Sequence, residues 1–233
     1  MNVRKLAVAS VFLIVGLTSP AAAQVGHAPI RSPYVDLEYR QEATLFAGYY
    51  DAGRDEAGVA PQGGPMLGVR YELRLPGPAV LTSKLAYVSS QRDVIDPRRP
   101  ASQRVVENNA SWPLYMADVG IAVNLTGQRS FHRIVPFVNG AIGVATDFKS
   151  ADVGAYRFGT PFAFSLGGGL KWVPAGNWQT RIDVGTKFYQ VKYPSSYYNT
   201  ASDGTSVLQP NDASSDWTTN FTISIGASYL FFR

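Results

Sequence analysis

The sequence predicts an all-β fold, an eight-stranded antiparallel up-and-down transmembrane β-barrel. Two observations favour this architecture: apolar and polar residues alternate in eight segments, and the connections between those segments are alternately short and long. A third observation, the restriction of charged residues to one face of the segments, predicts which face lines the barrel.

The N-terminus has the three parts of a secretory signal. Arg4 and Lys5 precede the apolar run LAVASVFLIVGL, which is too short to span a bilayer, and AAA at residues 21–23 offers a small-residue cleavage site. We therefore expect residues 1–23 to be a cleaved signal peptide, residues 24–41 an N-terminal extension, and residues 42–233 the barrel. Export then leads to the cell outer membrane.

Composition narrows the class of protein. The chain has no cysteine, so no disulfide framework supports it, and its formal net charge of +4 falls to about +2 once Arg4 and Lys5 leave with the signal. Basic residues form no cluster with interleaved aromatics, which argues against nucleic-acid binding. After Leu17 no apolar run approaches the roughly 20 residues of a membrane helix, so a membrane could be crossed only by strands.

Alternation is clearest in the C-terminal stretch ISIGASYLFFR. Ile223 and Ile225 lie on one face, while Ser224 and Gly226 lie on the other, as in a strand with one apolar and one polar face. Each segment has about the 9 to 11 residues of a tilted membrane strand or slightly more. The predicted segments are 42–51, 65–75, 79–90, 114–126, 135–148, 162–173, 179–192 and 218–232.

The sequence leaves two alternatives for the start of the first strand, because the alternation also extends back from Tyr49 to Val35. Either the first strand begins before residue 42, or the extension forms a short periplasmic arm.

The connections sort into two classes. PGP, GQRSFHRI and PAGNW are short, whereas the first, third, fifth and seventh connections are long. Outer-membrane barrels have short periplasmic turns and longer extracellular loops. Two sets of aromatic residues follow the same division and are interpreted as interfacial belts. The set beside the long connections is Tyr49, Tyr50, Trp112, Tyr115, Phe162, Tyr189, Tyr193 and Trp217, and the other is Trp172, Trp178, Tyr229, Phe231 and Phe232.

Charges decide which face points inward. In the second segment Leu67 and Val69 alternate with Arg70 and Glu72. A Lys or Arg facing lipid near the midplane would cost roughly 2 to 4 kcal/mol, so the charged face should line the lumen. There the charges must be paired. The predicted lumenal ionic network is Arg70, Glu72, Arg74, Lys84, Asp118, Lys171, Arg181, Asp183 and Lys187.

With these features the chain resembles the small eight-stranded outer-membrane β-barrels that include the OmpA membrane domain and OmpX. The last strand is similar to the C-terminal insertion signal of such barrels, and Ser224, Gly226, Tyr229 and Phe231 match it. Such barrels commonly end on Phe, whereas here Phe232 and Arg233 follow, and Phe232 is also available to the signal. The resemblance implies contact with outer-membrane lipid and lipopolysaccharide, and insertion by the barrel-assembly machinery. It implies no cofactor.

A barrel enzyme is the rival class, because some outer-membrane barrels modify lipid A with His, Ser and an acid. His27 lies in the extension and His132 in a short connection beside Ser130, so neither is at the outer-leaflet end. GGGLK at residues 167–171 lacks the spacing of a phosphate loop, and the acidic residues of the last loop are too scattered for a calcium site. We therefore predict no catalytic residues, no metal and no enzyme.

Two functions remain. The favoured one is a non-enzymatic barrel with a side-chain-filled lumen, displaying four extracellular loops for a structural, adhesive or binding role, with the loop ligand unknown. Aromatics in KSADVGAYRFG and SSYYN are expected to be exposed for recognition. The alternative is a narrow porin-like channel for ions or small solutes.

Overall fold

The computed structural model describes residues 32–231. Residues 1–31 and 232–233 lie outside this range, and with them the predicted signal peptide, most of the extension, His27 and Phe232. The described strands are β1 (Tyr34–Asp36), β2 (Gln41–Asp51), β3 (Gly64–Arg74), β4 (Ala79–Val88), β5 (Gln91–Ile95), β6 (Val105–Ser111), β7 (Leu114–Asn124), β8 (Arg129–Phe131), β9 (Ile134–Thr146), β10 (Phe162–Trp172), β11 (Trp178–Lys192) and β12 (Ser215–Phe231).

Eight of these strands form a closed antiparallel barrel, which confirms the predicted fold class. Strands β2, β3, β4, β7, β9, β10, β11 and β12 pair in chain order, and β12 returns to pair with β2. Their ends differ from the predicted segment ends by at most three residues. Closure leaves no free edge in the ring, so every barrel strand has a partner on both sides.

The faces are arranged as the charge pattern predicts. Leu67 and Val69 on β3 point outward and are about half exposed, whereas Arg70 and Glu72, which have the opposite parity, are buried. The same alternation holds for Val119, exposed on β7, and Asp118, buried beside it. The barrel therefore has an apolar outer surface and a polar interior.

The two ends of the barrel differ in size. Connections 75–78, 125–133 and 173–177 form what we call the turn end, and connections 52–63, 89–113, 147–161 and 193–214 form the loop end. The loop end carries a further hairpin, since β5 pairs with β6 inside connection 89–113. At the turn end the short strand β1 pairs with β8. Residues 37–40 separate β1 from β2, so alternation across residues 35–49 does not produce one continuous strand.

Small residues line part of the interior. Gly120, Gly143, Gly167, Gly169 and Gly185 occupy inward positions on β7, β9, β10 and β11. A methyl group on Gly143 would overlap the carbonyl oxygen of Ala117 and the carboxylate of Asp118. Gly167 and Gly169 of GGGLK thus leave room in the lumen for long charged side chains from the opposite wall.

This packing predicts different costs for two alanine substitutions on β9. Gly143→Ala should destabilise the barrel by about 1–3 kcal/mol, because the wall must shift to admit the methyl group. Gly140→Ala is the matched control, since its methyl group would meet the side chain of Leu166 at an ordinary contact distance of 3.5 Å. Urea unfolding in detergent measures both, and equal midpoints for the two variants would contradict the packing described.

Candidate functional site: the lumen and its cap

A cluster of ion pairs fills the lumen toward the turn end. Lys171 Nζ on β10 donates to Glu42 Oε2 at 2.9 Å and also to Glu72. Arg181 Nη1 on β11 donates to Glu72 Oε1 at 2.7 Å and lies 3.4 Å from Glu42 Oε1. All four side chains are almost completely buried. Two carboxylates from β2 and β3 therefore neutralise two cations from the far side of the barrel.

Arg181 also extends the cluster toward the middle of the lumen. Its Nε and Nη2 donate to the two carboxylate oxygens of Asp183, each at 2.9 Å, in a bidentate arrangement. Arg70 Nη1 donates to Asp183 Oδ1 at 2.7 Å. Bidentate pairs fix geometry as well as charge, so the Arg181 guanidinium is held in one orientation across the lumen.

A second set of charges lies nearer the middle. Lys187 on β11 pairs with Asp118 on β7. Lys84 on β4 is the cross-strand neighbour of both Asp118 and Arg70, and its Nζ lies 4.8 Å from the centre of the Phe46 ring. The structure therefore brings together eight of the nine residues of the predicted ionic network.

The ninth residue, Arg74, lies apart. Its guanidinium donates to the carbonyl oxygens of Leu37 and Tyr39 and lies over the Tyr39 ring, with 5.3 Å to its centre. Arg74 is the last residue of β3, where the lumen opens, so it ties down the segment before β2 and pairs with no carboxylate of the described chain. Burial raises the pKa of the Tyr39 hydroxyl in that segment.

Glu42 is central to the cluster, although the predicted network does not include it. Its inward parity is shared with Thr44 and Phe46, and the apolar Phe46 obscures the polar face of β2. The sequence did contain one sign that an acid was missing. The predicted network has six cations against three carboxylates, and a further acid would reduce that imbalance. With Glu42 included and Arg74 left out, the observed network has five cations and four carboxylates.

Between the ion pairs and the loop end, the interior of the barrel is apolar. Tyr50, Met66, Leu114 and Tyr189 are buried inward residues at the loop end. The hydroxyl of Tyr50 donates to that of Tyr189 at 2.9 Å. The interpretation of Tyr50, Tyr189 and Tyr193 as belt residues is therefore wrong. Tyr50 and Tyr189 point into the lumen, and Tyr193 is buried at the start of the 193–214 connection. The belt residues that do face outward at this end are Tyr49, Tyr115, Phe162 and Trp217.

The long connections fold together over this apolar layer, and we call them the cap. Residues from all four, including Val59, Ile95, Tyr156, Tyr197 and Leu208, belong to the same buried cluster as the upper lumen. The expectation that the aromatics of KSADVGAYRFG and SSYYN are exposed is wrong for their main members. Tyr156, Phe158 and Tyr197 are buried, because apolar residues above an apolar lumen gain more free energy by closing over it than by facing water.

A buried arginine organises the cap. Arg92 of β5 is fully buried and pairs with Asp152 of the 147–161 connection at 2.9 Å. Its guanidinium lies 3.8 Å from the centre of the Trp112 ring and 4.9 Å from that of Tyr156. Trp112 in turn donates from Nε1 to Asp147 at 2.6 Å. Ion pairing and stacking thus join two connections.

Carboxylates join the remaining connections. Asp55 accepts hydrogen bonds from the amides of Val59 and Ala60 and from the Tyr193 hydroxyl. Asp203 accepts one from the Ala101 amide at 2.7 Å. That bond, with those from Thr205, lowers the pKa of Asp203 to about 2.

The remaining candidate residues lie away from the lumen. His132 is exposed at the turn end, and the hydroxyl of its neighbour Ser130 donates to the carbonyl oxygen of Val35. Within residues 32–231, no group of three or more His, Asp or Glu side chains could hold a metal ion, and no helix there is long and apolar enough to cross a membrane. In the proposed insertion signal, Ser224 and Gly226 point inward, whereas Tyr229 is exposed on the outer surface.

Comparison with solved structures finds small outer-membrane proteins, and the match with OprG supports the fold. The outer-membrane protein OprG from Pseudomonas aeruginosa has 9% identity and a TM-score of 0.50, and the match covers 84% of this chain and 99% of OprG. Neisserial surface protein A gives 9% identity and a TM-score of 0.46 over 82% of this chain and 97% of that one. Ail from Yersinia pestis gives 13% identity and a TM-score of 0.37 over 82% and 99%. No protein-family model and no curated protein matches the sequence.

The barrel defines the class of protein. The described chain is a closed, eight-stranded, antiparallel β-barrel of the kind found in small outer-membrane proteins. At these identities the likeness concerns the fold alone, so the function must be argued from the interior and the cap.

The ion-pair cluster predicts a large cost for removing one acid. Glu72→Ala should lower the free energy of unfolding by about 3–5 kcal/mol, because it leaves Lys171 and Arg181 buried with fewer partners. Arg129→Ala is the control, since the Arg129–Asp36 pair is more than half exposed and should contribute no more than about 1 kcal/mol. Urea unfolding compares them, and a Glu72→Ala barrel as stable as the control would contradict a role for the cluster in stability.

The cap makes a separate prediction. Arg92→Ala should speed proteolysis within connections 89–113 and 147–161, because Asp152 loses its ion pair and Trp112 its stacking partner, while the barrel remains folded. Arg98→Ala serves as the control, as its side chain is 75% exposed and pairs at the surface with Asp96. Proteinase K digestion followed by mass spectrometry locates the cuts. Unchanged cleavage in Arg92→Ala would show that the cap does not depend on this contact.

Proposed function

We propose that this chain is a non-enzymatic outer-membrane barrel with a blocked lumen, which presents the outer surface of its cap for a structural, adhesive or binding role. One observation carries the proposal: two different layers obstruct the interior. Ion pairs join opposite walls toward the turn end, and the apolar layer beneath the cap closes the loop end. A path for solutes would have to break both layers.

The outer surface supports placement in a membrane. Apolar side chains such as Leu45, Val119 and Ile225 are half or more exposed around the ring, while charges lie inside. A lipid surface is the environment that such an exterior favours. Outer-membrane lipid and lipopolysaccharide are accordingly proposed as its surroundings, with the turn end in the periplasm and the cap outside the cell. Insertion would proceed through the barrel-assembly machinery, which would recognise the last strand.

The cap is proposed to act through its outer surface, because its aromatic core is inaccessible. Strand β6 is the clearest example, since Val105 and Val106 are each more than two-fifths exposed on it. Its partner strand β5 turns Arg92, Val94 and Ile95 into the cap core. Rigid loops with an exposed face suit recognition, because little conformational entropy is lost on binding.

A narrow ion channel is the second candidate. It is supported by a cavity of about 50 Å³ within the lumen, among the ion-pair residues Arg70, Asp118 and Asp183. Rearrangement of the ion pairs would connect that cavity with the turn end. An enzyme is not favoured, because His132 and Ser130 lie at the turn end and Ser130 is already hydrogen-bonded to the main chain.

Planar-bilayer conductance tests the proposal. Protein folded in detergent should shift in gel mobility on heating, which reports a stable barrel, and should give no channel steps after insertion. Glu72→Ala is the informative variant, because it weakens the ion-pair layer and should still leave the cap closed and conductance absent. Reproducible steps in the wild-type protein would overturn the blocked lumen and favour the channel. Absence of a heat-dependent shift would contradict the membrane barrel itself.

A further inference from the structure

The lumen holds one more cation than it holds carboxylates. Its charged residues are Arg70, Lys84, Lys171, Arg181 and Lys187, against Glu42, Glu72, Asp118 and Asp183. Every cation of this set except Lys84 lies within ion-pair distance of a carboxylate. The ammonium of Lys84 pairs with no carboxylate of residues 32–231 and contacts the face of the Phe46 ring instead.

Lys84 lines the lumenal cavity of about 50 Å³. Since a single water needs roughly 10–15 Å³ of cavity, there is room for about three to five waters, or for one small ion with less water. Gly167 on β10 and Gly185 on β11 help to create this cavity, because both occupy inward positions where a larger side chain would fill the space.

Neutral hydrogen-bond donors line the same cavity. Asn139 on β9 and Ser165 on β10 point inward toward it, and neither side chain hydrogen-bonds to another residue within the described range. The protonated form of the Lys84 amine, with an amide and a hydroxyl nearby, is a donor set that suits an anion. Three acids also line the cavity, and each is already paired: Glu72 with Lys171 and Arg181, Asp118 with Lys187, and Asp183 with Arg70 and Arg181.

We propose that this cavity binds one small monovalent inorganic anion of halide size, held by Lys84 with Asn139 and Ser165 as neutral donors. A buried charge is costly unless it is paired, and one such anion would balance the lumenal charges. The size of the cavity selects against large organic anions. The inference does not depend on the proposed function, because a blocked barrel and a channel could each contain the site.

The test uses bromide as the probe. The mature protein is refolded in sodium bromide and, separately, in sodium gluconate at the same ionic strength, so that the anion is present while the barrel closes. Crystals from bromide should show an anomalous peak beside Lys84 Nζ, and Lys84→Met crystals should lack it. Bromide peaks confined to the protein surface would mean an adventitious ion only and would overturn the proposal.

Stability gives an independent measurement. The urea midpoint of the wild-type protein should be higher in bromide than in gluconate, because an anion bound only by the folded barrel stabilises it. Lys84→Met should lose that difference, whereas Lys149→Met, a change in the 147–161 connection, should keep it. An equal bromide effect in wild type and Lys84→Met would overturn the proposal. If Lys84→Met fails to fold, the anomalous map of the wild-type crystals decides alone.

Discussion

The pairing of buried charge across a narrow lumen is the constraint on which the rest of this structure depends. Eight strands enclose a space just wide enough for side chains to fill, and ions placed there are tolerable only with partners at hydrogen-bond distance. Glu42, Glu72, Lys171 and Arg181 come from four strands and meet in one cluster. A slip of one residue in any of these strands would turn its charge toward the outer surface and an apolar side chain inward. The ion pairs therefore specify both the register of these strands and which of their faces points into the lumen.

The same constraint explains the unequal composition of the barrel wall. Long charged side chains project mainly from β3, β4 and β11, whereas β7, β9 and β10 carry several glycine and alanine residues inside. Toward the loop end the charges stop, and Tyr50, Met66, Leu114 and Tyr189 continue the interior as an apolar layer. The cap packs on that layer, so the conformation of the long connections is coupled to the barrel through buried apolar area. Ion pairs therefore stabilise the lumen toward the turn end, and hydrophobic burial stabilises it toward the loop end.

The barrel could be predicted from the sequence because its signals are local. Alternation and the parity of the charges each repeat in several strands, the sorting of the loops repeats along the chain, and β12 shows the alternation in one continuous stretch. The predictions that were wrong or incomplete depend on long-range contacts. Glu42 was overlooked because Phe46 interrupts the polar parity of β2, and the position of Arg74 depends on residues 37–39, which no period describes. Tyr156 and Tyr197 lie in polar segments whose composition is typical of exposed loops. They are buried only because the long connections pack together in the cap. The hairpin of β5 and β6 is irregular in register, which hides its alternation.

A double-mutant cycle between Glu72 and Lys171 tests the central claim most directly. The free energies of unfolding in urea are measured for the wild type, Glu72→Ala, Lys171→Met and the double variant. If the pair stabilises the barrel as buried partners, the double variant should lose less stability than the two single variants combined, by about 1 kcal/mol or more. Additive losses would show that the two residues act independently, and the account of the lumen as a paired ionic network would then be wrong.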